Sequence, residues 1–261
     1  MKIDVPNGTL PGAAPIYLKR GPVGVLLFHG TTSTPYCMKY LAEYLAGKGL
    51  TVYVPLLPGH GTKNVDDLIK TDDEIWRKAA EEEFLKFRKT VRSVFVGGLC
   101  TGGNLALDIA SKYPAAGVMS LGSLIYLRGH AMMVLWLNIL KHFKKTVPKE
   151  FSPNAYEEYY RMSGAYRDLP IKTFLEILTT MERTKKLSKI TIPAFIMHTK
   201  HDYVISPRSA TFIWKNLLTP ESRKKLYFIN TILHVPADIF EPWRTDGKFY
   251  AELYRFIDKY K

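Results

Sequence analysis

The sequence predicts an α/β fold, a mostly parallel central sheet with helices on both faces. Three observations carry this expectation. Val23–Phe28 is an unbroken apolar run, the pattern of a strand buried on both faces. Strand-like and helix-like stretches alternate from residue 16 to residue 122, and the alternation resumes after residue 189. The chain has 261 residues, 46% hydrophobic and 23% charged, enough to build one sizeable core of this kind.

After the first strand, Met38–Gly47 places Leu41, Tyr44 and Leu45 at helical spacing and stops at Gly47 and Gly49. Thr51–Val54 is the next strand, followed by the turn residues Pro58 and Gly59 of a Pro-Leu-Leu-Pro-Gly-His-Gly loop. Asp72–Lys89 reads as a long polar-faced helix carrying Trp76, Phe84, Leu85 and Phe87. Val94–Val96 is a strand, Leu105–Lys112 a helix and Gly117–Leu121 a strand. The later elements are Ala194–His198 (strand), Ser209–Leu218 (helix), Lys225–Ile229 (strand) and Phe249–Tyr260 (helix).

Residues 124–188 break the rhythm. No strand is evident there, and aromatic, methionine and lysine residues dominate helix-like stretches. The expected organisation is a core of residues 1–123 and 189–261 with a helical lid, residues 124–188, inserted before the strand Ala194–His198. Such an insert would cover the carboxyl edge of the sheet, where open α/β sheets bind ligands. Within it, the apolar run Ala131–Leu140 is flanked by Arg128 and by Lys141, Lys144 and Lys145. It falls well short of the ~20 residues needed to span a bilayer. Packing of the lid on its own body is the expected use, with peripheral lipid contact as the other reading.

Formal net charge is +13, from 37 basic and 24 acidic residues. Basic residues are dispersed and accompany no nucleic-acid-binding module, so a nucleic-acid partner is not expected. Two cysteines, Cys37 and Cys100, make no disulfide framework, and the first residues contain no apolar stretch of signal-peptide length. A cytoplasmic location is the expectation. The histidines lack metal-ligand spacing, and Gly97–Gly103 lacks the end of a nucleotide-binding loop, so no metal and no cofactor are expected.

The most informative stretch is Gly98-Leu99-Cys100-Thr101-Gly102-Gly103, which stands between a β-branched run and a helix. A nucleophile elbow needs that arrangement, a sharp strand-to-helix turn with glycines where bulk would clash. A thiolate at Cys100 would meet the positive end of the helix dipole and unpaired amides. In this architecture the nucleophile is followed along the chain by an acid and then a base. His234 lies after the last strand and suits the base. Asp202 follows the strand before it and suits the acid, with Asp168 and Asp238 as weaker alternatives. His29 and His60 fit turns better than proton transfer. Backbone amides of Thr31, after His29-Gly30, and of Thr101 are the candidate oxyanion donors.

His29-Gly30, Pro58-Gly59-His60-Gly61, the elbow, Asp202 and His234 stand in the order seen in α/β-hydrolases, across residues 23–260. The chain resembles that superfamily, and within it bacterial carboxylesterases and monoacylglycerol lipases with a small helical lid. The resemblance implies a Cys100–His234–Asp202 triad, an oxyanion hole from the Thr31 and Thr101 amides, and an acyl chain held near residues 124–188. The thiol in place of the usual serine is similar to dienelactone hydrolases. Hydrolysis of carboxylic esters or thioesters through an acyl-cysteine is the implied activity. Acyl transfer from the same intermediate, or ligand binding with little turnover, are the alternatives.

Overall fold

The computed structural model describes residues 1, 3–149, 160–185, 189–231, 234 and 247–261. Its centre is a seven-stranded sheet in the order β1-β3-β2-β4-β5-β8-β9. These strands are β1 (Ile16–Leu18), β2 (Val23–Phe28), β3 (Thr51–Val54), β4 (Ser93–Leu99), β5 (Gly117–Leu121), β8 (Ala194–Thr199) and β9 (Lys224–Ile229). Every pairing is parallel except β1 with β3, so an antiparallel strand stands at one edge of the sheet.

The central strands are buried apart from Ser93 at the start of β4, and all six residues of β2 are inaccessible or nearly so. Helices cover both faces, as a parallel sheet requires. On one side lie α1 (Lys39–Gly47) and α8 (Lys248–Tyr260), packed on Val25, Leu27, Phe95 and Phe195. On the other lie α3 (Asp73–Phe87), α4 (Thr101–Lys112) and α7 (Arg208–Asn216), packed on Leu26, Phe28, Val96 and Ile196. The alternation of partners along β2 follows from the two-residue period of a strand. A short helix, α2 (Asp66–Ile69), precedes α3, whose first turn is capped by the Asp72 carboxylate accepting the Ile75 amide at 2.8 Å.

Several expected elements differ in extent. The strand at Val94–Val96 runs on to Leu99, and the following helix begins at Thr101 rather than Leu105. Gly97, Gly98, Gly102 and Gly103 conceal both extensions, because glycine carries no periodic signal. Cys37, which directly precedes the predicted helix Met38–Gly47, lies in a 3-10 turn (Pro35–Met38) that leads into α1.

Between β5 and β8 the chain leaves the sheet. It forms α5 (His130–Leu140), β6 (Thr146–Pro148), β7 (Asp168–Pro170) and α6 (Ile171–Thr184). The expectation of no strand here is corrected: β6 and β7 pair antiparallel, Val147 opposite Leu169. Both strands are three residues long and contain proline, which erased their sequence signal. Leu137 of α5 packs on Ile171 and Phe174, with Val134 and Leu140 beside it. Met132, Leu135, Trp136, Ile139 and the following Phe143 are exposed. Packing on α6, within the insert itself, therefore accounts for only one face of this run. A helix apolar all round can bury just the stripe that meets its neighbour.

Candidate active site

The chemistry-bearing residues lie beyond the carboxyl ends of β2, β4, β8 and β9. Cys100 occupies the turn between β4 and α4 with φ 56° and ψ −123°, a backbone state that L residues rarely adopt. Its amide donates to the Leu121 carbonyl at 2.9 Å, while its carbonyl accepts from the Gly103 amide at 2.9 Å. The turn is this tight because β4 and α4 press against β2. A Cβ on Gly102 would stand 2.2 Å from the Phe28 carbonyl oxygen, and one on Gly98 would stand 2.4 Å from Gly102. Only glycine fits at either position. Asn104 braces the next turn, donating to the Leu124 carbonyl at 2.8 Å and accepting from the Leu124 amide at 2.9 Å.

Asp202 follows β8 and is wholly buried. Its Oδ1 accepts the amides of Val204 and Ile205, both at 2.8 Å, and its Oδ2 accepts His234 Nδ1 at 2.7 Å. Burial alone would raise its carboxyl pKa. The His234 hydrogen bond and charge, helped by the two amides, overcome that and lower it. Adjacent parallel strands explain the meeting of residues 32 positions apart. The loops after β8 and β9 leave the same end of the sheet, and the Lys200 and His201 amides donate to the Ile229 and Thr231 carbonyls at 2.9 and 3.1 Å. The start of the insert supports the acid loop as well, since Arg128 Nε donates to the Asp202 carbonyl at 2.6 Å.

His234 meets Asp202 on one side and the Cys100 sulfur on the other. Burial works against its charged form, but the Cys100 sulfur and the Asp202 carboxylate outweigh it and raise the imidazole to about 10. An imidazole so placed holds its proton at neutral pH, with Nδ1 committed to the carboxylate.

Thr31 and Thr101 come together in front of β2 and β4. Their hydroxyls share a hydrogen bond at 2.5 Å, and the Thr101 hydroxyl lies 4.0 Å from the Cys100 sulfur. Among the described residues, neither threonine amide donates to a backbone carbonyl outside the regular elements. Backbone amides at these two positions are the candidates to receive a developing oxyanion. Leu124, Ile177, Met181 and Ile205 form an apolar wall against which Cys100 packs, two of them contributed by α6.

The other candidates fall away from this centre. His29 is buried, with Nε2 accepting the Leu57 amide at 3.1 Å and Nδ1 donating to the Gly30 carbonyl at 3.0 Å. Burial and the neighbouring His60 lower its pKa far below the ordinary value, so it serves as a neutral brace. His60 donates from Nδ1 to the Pro58 carbonyl at 2.9 Å, and burial lowers it to about 4. Cys37 is buried behind the Gly30 loop, where desolvation raises its thiol to about 11. Asp168 lies in β7 of the insert, and Asp238 falls outside the described residues. Among the described residues no group of three or more His, Cys, Asp or Glu side chains could hold a metal ion. Two contributors escaped the sequence, Arg128 and Asn104. Neither stands in a motif, and only the folded contact reveals them.

Residues 23–237 match the Hydrolase_4 family model, described as serine aminopeptidase, S33. A thermostable monoacylglycerol lipase of Bacillus sp. (strain H-257) is 32% identical over 228 residues, 87% of this chain and 88% of the lipase. A carboxylesterase of Bacillus subtilis (strain 168) is 26% identical over 217 residues, 82% of this chain and 85% of the esterase. Among solved structures, one described under the metagenome-derived lipolytic enzymes LipS and LipT superposes with a TM-score of 0.83. It covers 96% of this chain and 99% of that one at 24% identity, a likeness of fold. With a family model covering most of its length and a relative above 30% identity, the chain belongs to the Hydrolase_4 family of α/β-hydrolases.

Proposed function

We propose that this protein hydrolyses carboxylic esters of acyl chains through an acyl-cysteine on Cys100. The observation that carries the reading is the left-handed elbow at Cys100, facing an imidazole that is hydrogen-bonded to buried Asp202. Relatives named as a monoacylglycerol lipase and a carboxylesterase support the ester class.

With the proton on His234, the Cys100 sulfur attacks the ester carbonyl as a thiolate. The C–S bond forms, and the tetrahedral oxyanion is received by the Thr31 and Thr101 amides. The intermediate collapses with cleavage of the C–O bond, and His234 gives its proton to the departing alkoxide. Water then enters, loses a proton to the now neutral imidazole and attacks the thioester. Collapse expels the Cys100 thiolate and releases the carboxylic acid, returning the pair to its starting state. Asp202 holds the imidazole by Nδ1 throughout and stabilises its charged form. A thioester substrate would follow the same course with a thiol leaving.

Residues 124–188 act as the lid over a core of residues 1–123 and 189–261. The acyl chain rests on the wall of Leu124, Ile177, Met181 and Ile205 beside the sulfur. The exposed apolar face of α5, rimmed by Lys141, Lys144 and Lys145, makes peripheral contact with lipid that supplies substrate. Among the described residues no helix is long and apolar enough to cross a membrane. A reducing, cytoplasmic setting suits a mechanism that needs Cys100 as a free thiol.

Intact mass after exposure to a p-nitrophenyl acyl ester tests the assignment. The expected result is nitrophenol release, with one acyl group retained by wild type and none by Cys100→Ala. Release at equal rates from both proteins overturns it.

A further inference from the structure

Thr32 shares an unusual property with the elbow cysteine. Among non-glycine residues described, these two alone have positive φ, 60° at Thr32 and 56° at Cys100. A β-branched residue in that region is strained and persists only where its surroundings over-determine it. Three hydrogen bonds do so here. The Thr32 hydroxyl donates to the Thr31 carbonyl at 2.6 Å. Lys149 Nζ donates to that same hydroxyl oxygen at 2.9 Å. The Tyr166 amide donates to the Thr32 carbonyl at 2.9 Å. Two of the three donors, Lys149 and Tyr166, come from the insert between β5 and β8.

Thr31 is thereby gripped from both sides. Its hydroxyl meets Thr101 at 2.5 Å, and its carbonyl receives the Thr32 hydroxyl that Lys149 holds. The lysine stands where a plain surface tether would not. It follows the end of β6, half-buried as a residue, with its amine 5.0 Å from the centre of the Tyr160 ring. Arg167 approaches the same ring at 5.9 Å. Burial lowers the amine to about 7, with Asp168 opposing the shift, and the charge also bears on His60. Keeping a desolvated amine in this place is costly, and the group it touches adjoins the candidate oxyanion donor.

We propose that Lys149 is a positioning residue for the oxyanion hole, reaching from the insert through the Thr32 hydroxyl to fix the Thr31 carbonyl and, across the Thr31 Cα, the orientation of the Thr31 amide. The relay runs from Lys149 Nζ–H to Thr32 Oγ1 and from Thr32 O–H to the Thr31 carbonyl. Seating of the insert and aim of the Thr31 amide are then one event. This inference rests on the ester-hydrolase reading and on Thr31 as an oxyanion donor.

The test compares steady-state hydrolysis of a p-nitrophenyl ester by wild type, Lys149→Met, Thr32→Val and Thr32→Gly, plus the Lys149→Met/Thr32→Gly double variant. Losing an oxyanion donor costs about 100-fold or more in kcat, and a misaimed one about 10-fold. Lys149→Met should lower kcat about 10-fold with KM within twofold, because both tetrahedral intermediates use the same donors. Thr32→Val cuts the relay without touching the lysine and should reproduce the loss. Glycine at 32 has no hydroxyl to receive Lys149, so Lys149→Met should add nothing further in that background.

An unchanged kcat in Thr32→Val overturns the proposal whether or not Lys149→Met folds. So does a loss in Lys149→Met that persists undiminished in the Thr32→Gly background, or one confined to KM. If wild type itself forms no acyl-cysteine, the ester-hydrolase reading fails. Normal wild-type turnover with unaffected variants refutes the relay alone.

Discussion

Replacing Asp202 by asparagine perturbs the site at a single atom. Oδ1 is pinned by the Val204 and Ile205 amides, both at 2.8 Å, so the asparagine oxygen must stay there. Its NH2 group then faces His234 Nδ1 across 2.7 Å, where the carboxylate oxygen stood. Two donors cannot share that gap. The imidazole must move its proton to Nε2, toward Cys100, or swing away. It also loses the negative charge that favours its protonated form. Amidating the acid of a triad while keeping its geometry costs ~10⁴ in kcat, equivalent to ~5.5 kcal/mol. A thiolate is the better intrinsic nucleophile, so the loss expected here is between about 10² and 10⁴ in kcat/KM. The assay is hydrolysis of a short p-nitrophenyl ester at pH 7, with circular dichroism to verify the fold. A loss under about threefold refutes the role given to Asp202. Stability supplies a second signature. The folded carboxyl pKa is lowered, so its contribution is present above the unfolded value of ~3.9 and disappears as pH falls through the folded value. The gap in urea resistance between wild type and Asp202→Asn should be open at pH 7 and close below about pH 4.

The opposite sign holds for His234. Its folded value is raised to about 10, so its stabilising contribution is complete below ~6.5 and is lost as pH rises toward 10. Urea midpoints of wild type and His234→Ala should therefore converge between pH 7 and pH 10, and a constant separation refutes the shift. Arg183 joins α6 to the body of the fold, contacting Asp73 at 3.0 Å and Asp108 at 2.9 Å. Arg183→Met leaves Asp73 without its cation, while Asp108 keeps Lys112 at 2.7 Å, and should cost about 3 kcal/mol, lowering Tm by roughly 6–12 °C. A calorimetric shift under about 2 °C would show that the bridge is solvated enough to matter little. Vesicle co-sedimentation checks the α5 face: a Trp136→Ser/Phe143→Ser double variant should bind anionic vesicles several-fold more weakly than wild type, at unchanged kcat on a soluble ester. Equal binding removes α5 from the contact.

What could be read from the chain alone was whatever is written over a few consecutive residues. The continuous apolar run of β2 predicted a strand buried on both faces, and the alternation around it predicted a parallel sheet. Glycines flanking Cys100 predicted a sharp turn, because a tight strand-to-helix passage excludes side chains at those positions. The order of Cys100, Asp202 and His234 was visible for the same reason. Each follows a strand-like segment, and parallel strands deliver their following loops to one edge. Signals failed where residues are few or featureless: proline-bearing β6 and β7 have no periodicity, and glycines hid the true end of β4 and start of α4.

Other properties exist only as distances between remote parts of the chain. The 2.7 Å contact of Asp202 with His234 depends on β8 lying beside β9. The raised pKa of His234 is the balance of its burial against the Cys100 sulfur and the Asp202 carboxylate, which sequence cannot weigh. Lys149 and Thr32, 117 positions apart, are unremarkable as letters and meet only when the insert folds back over the sheet edge. Local sequence determines which residues can turn, pair or line a face. Electrostatic surroundings and the placing of donors arise from packing, where contacts between distant segments decide what each side chain can do.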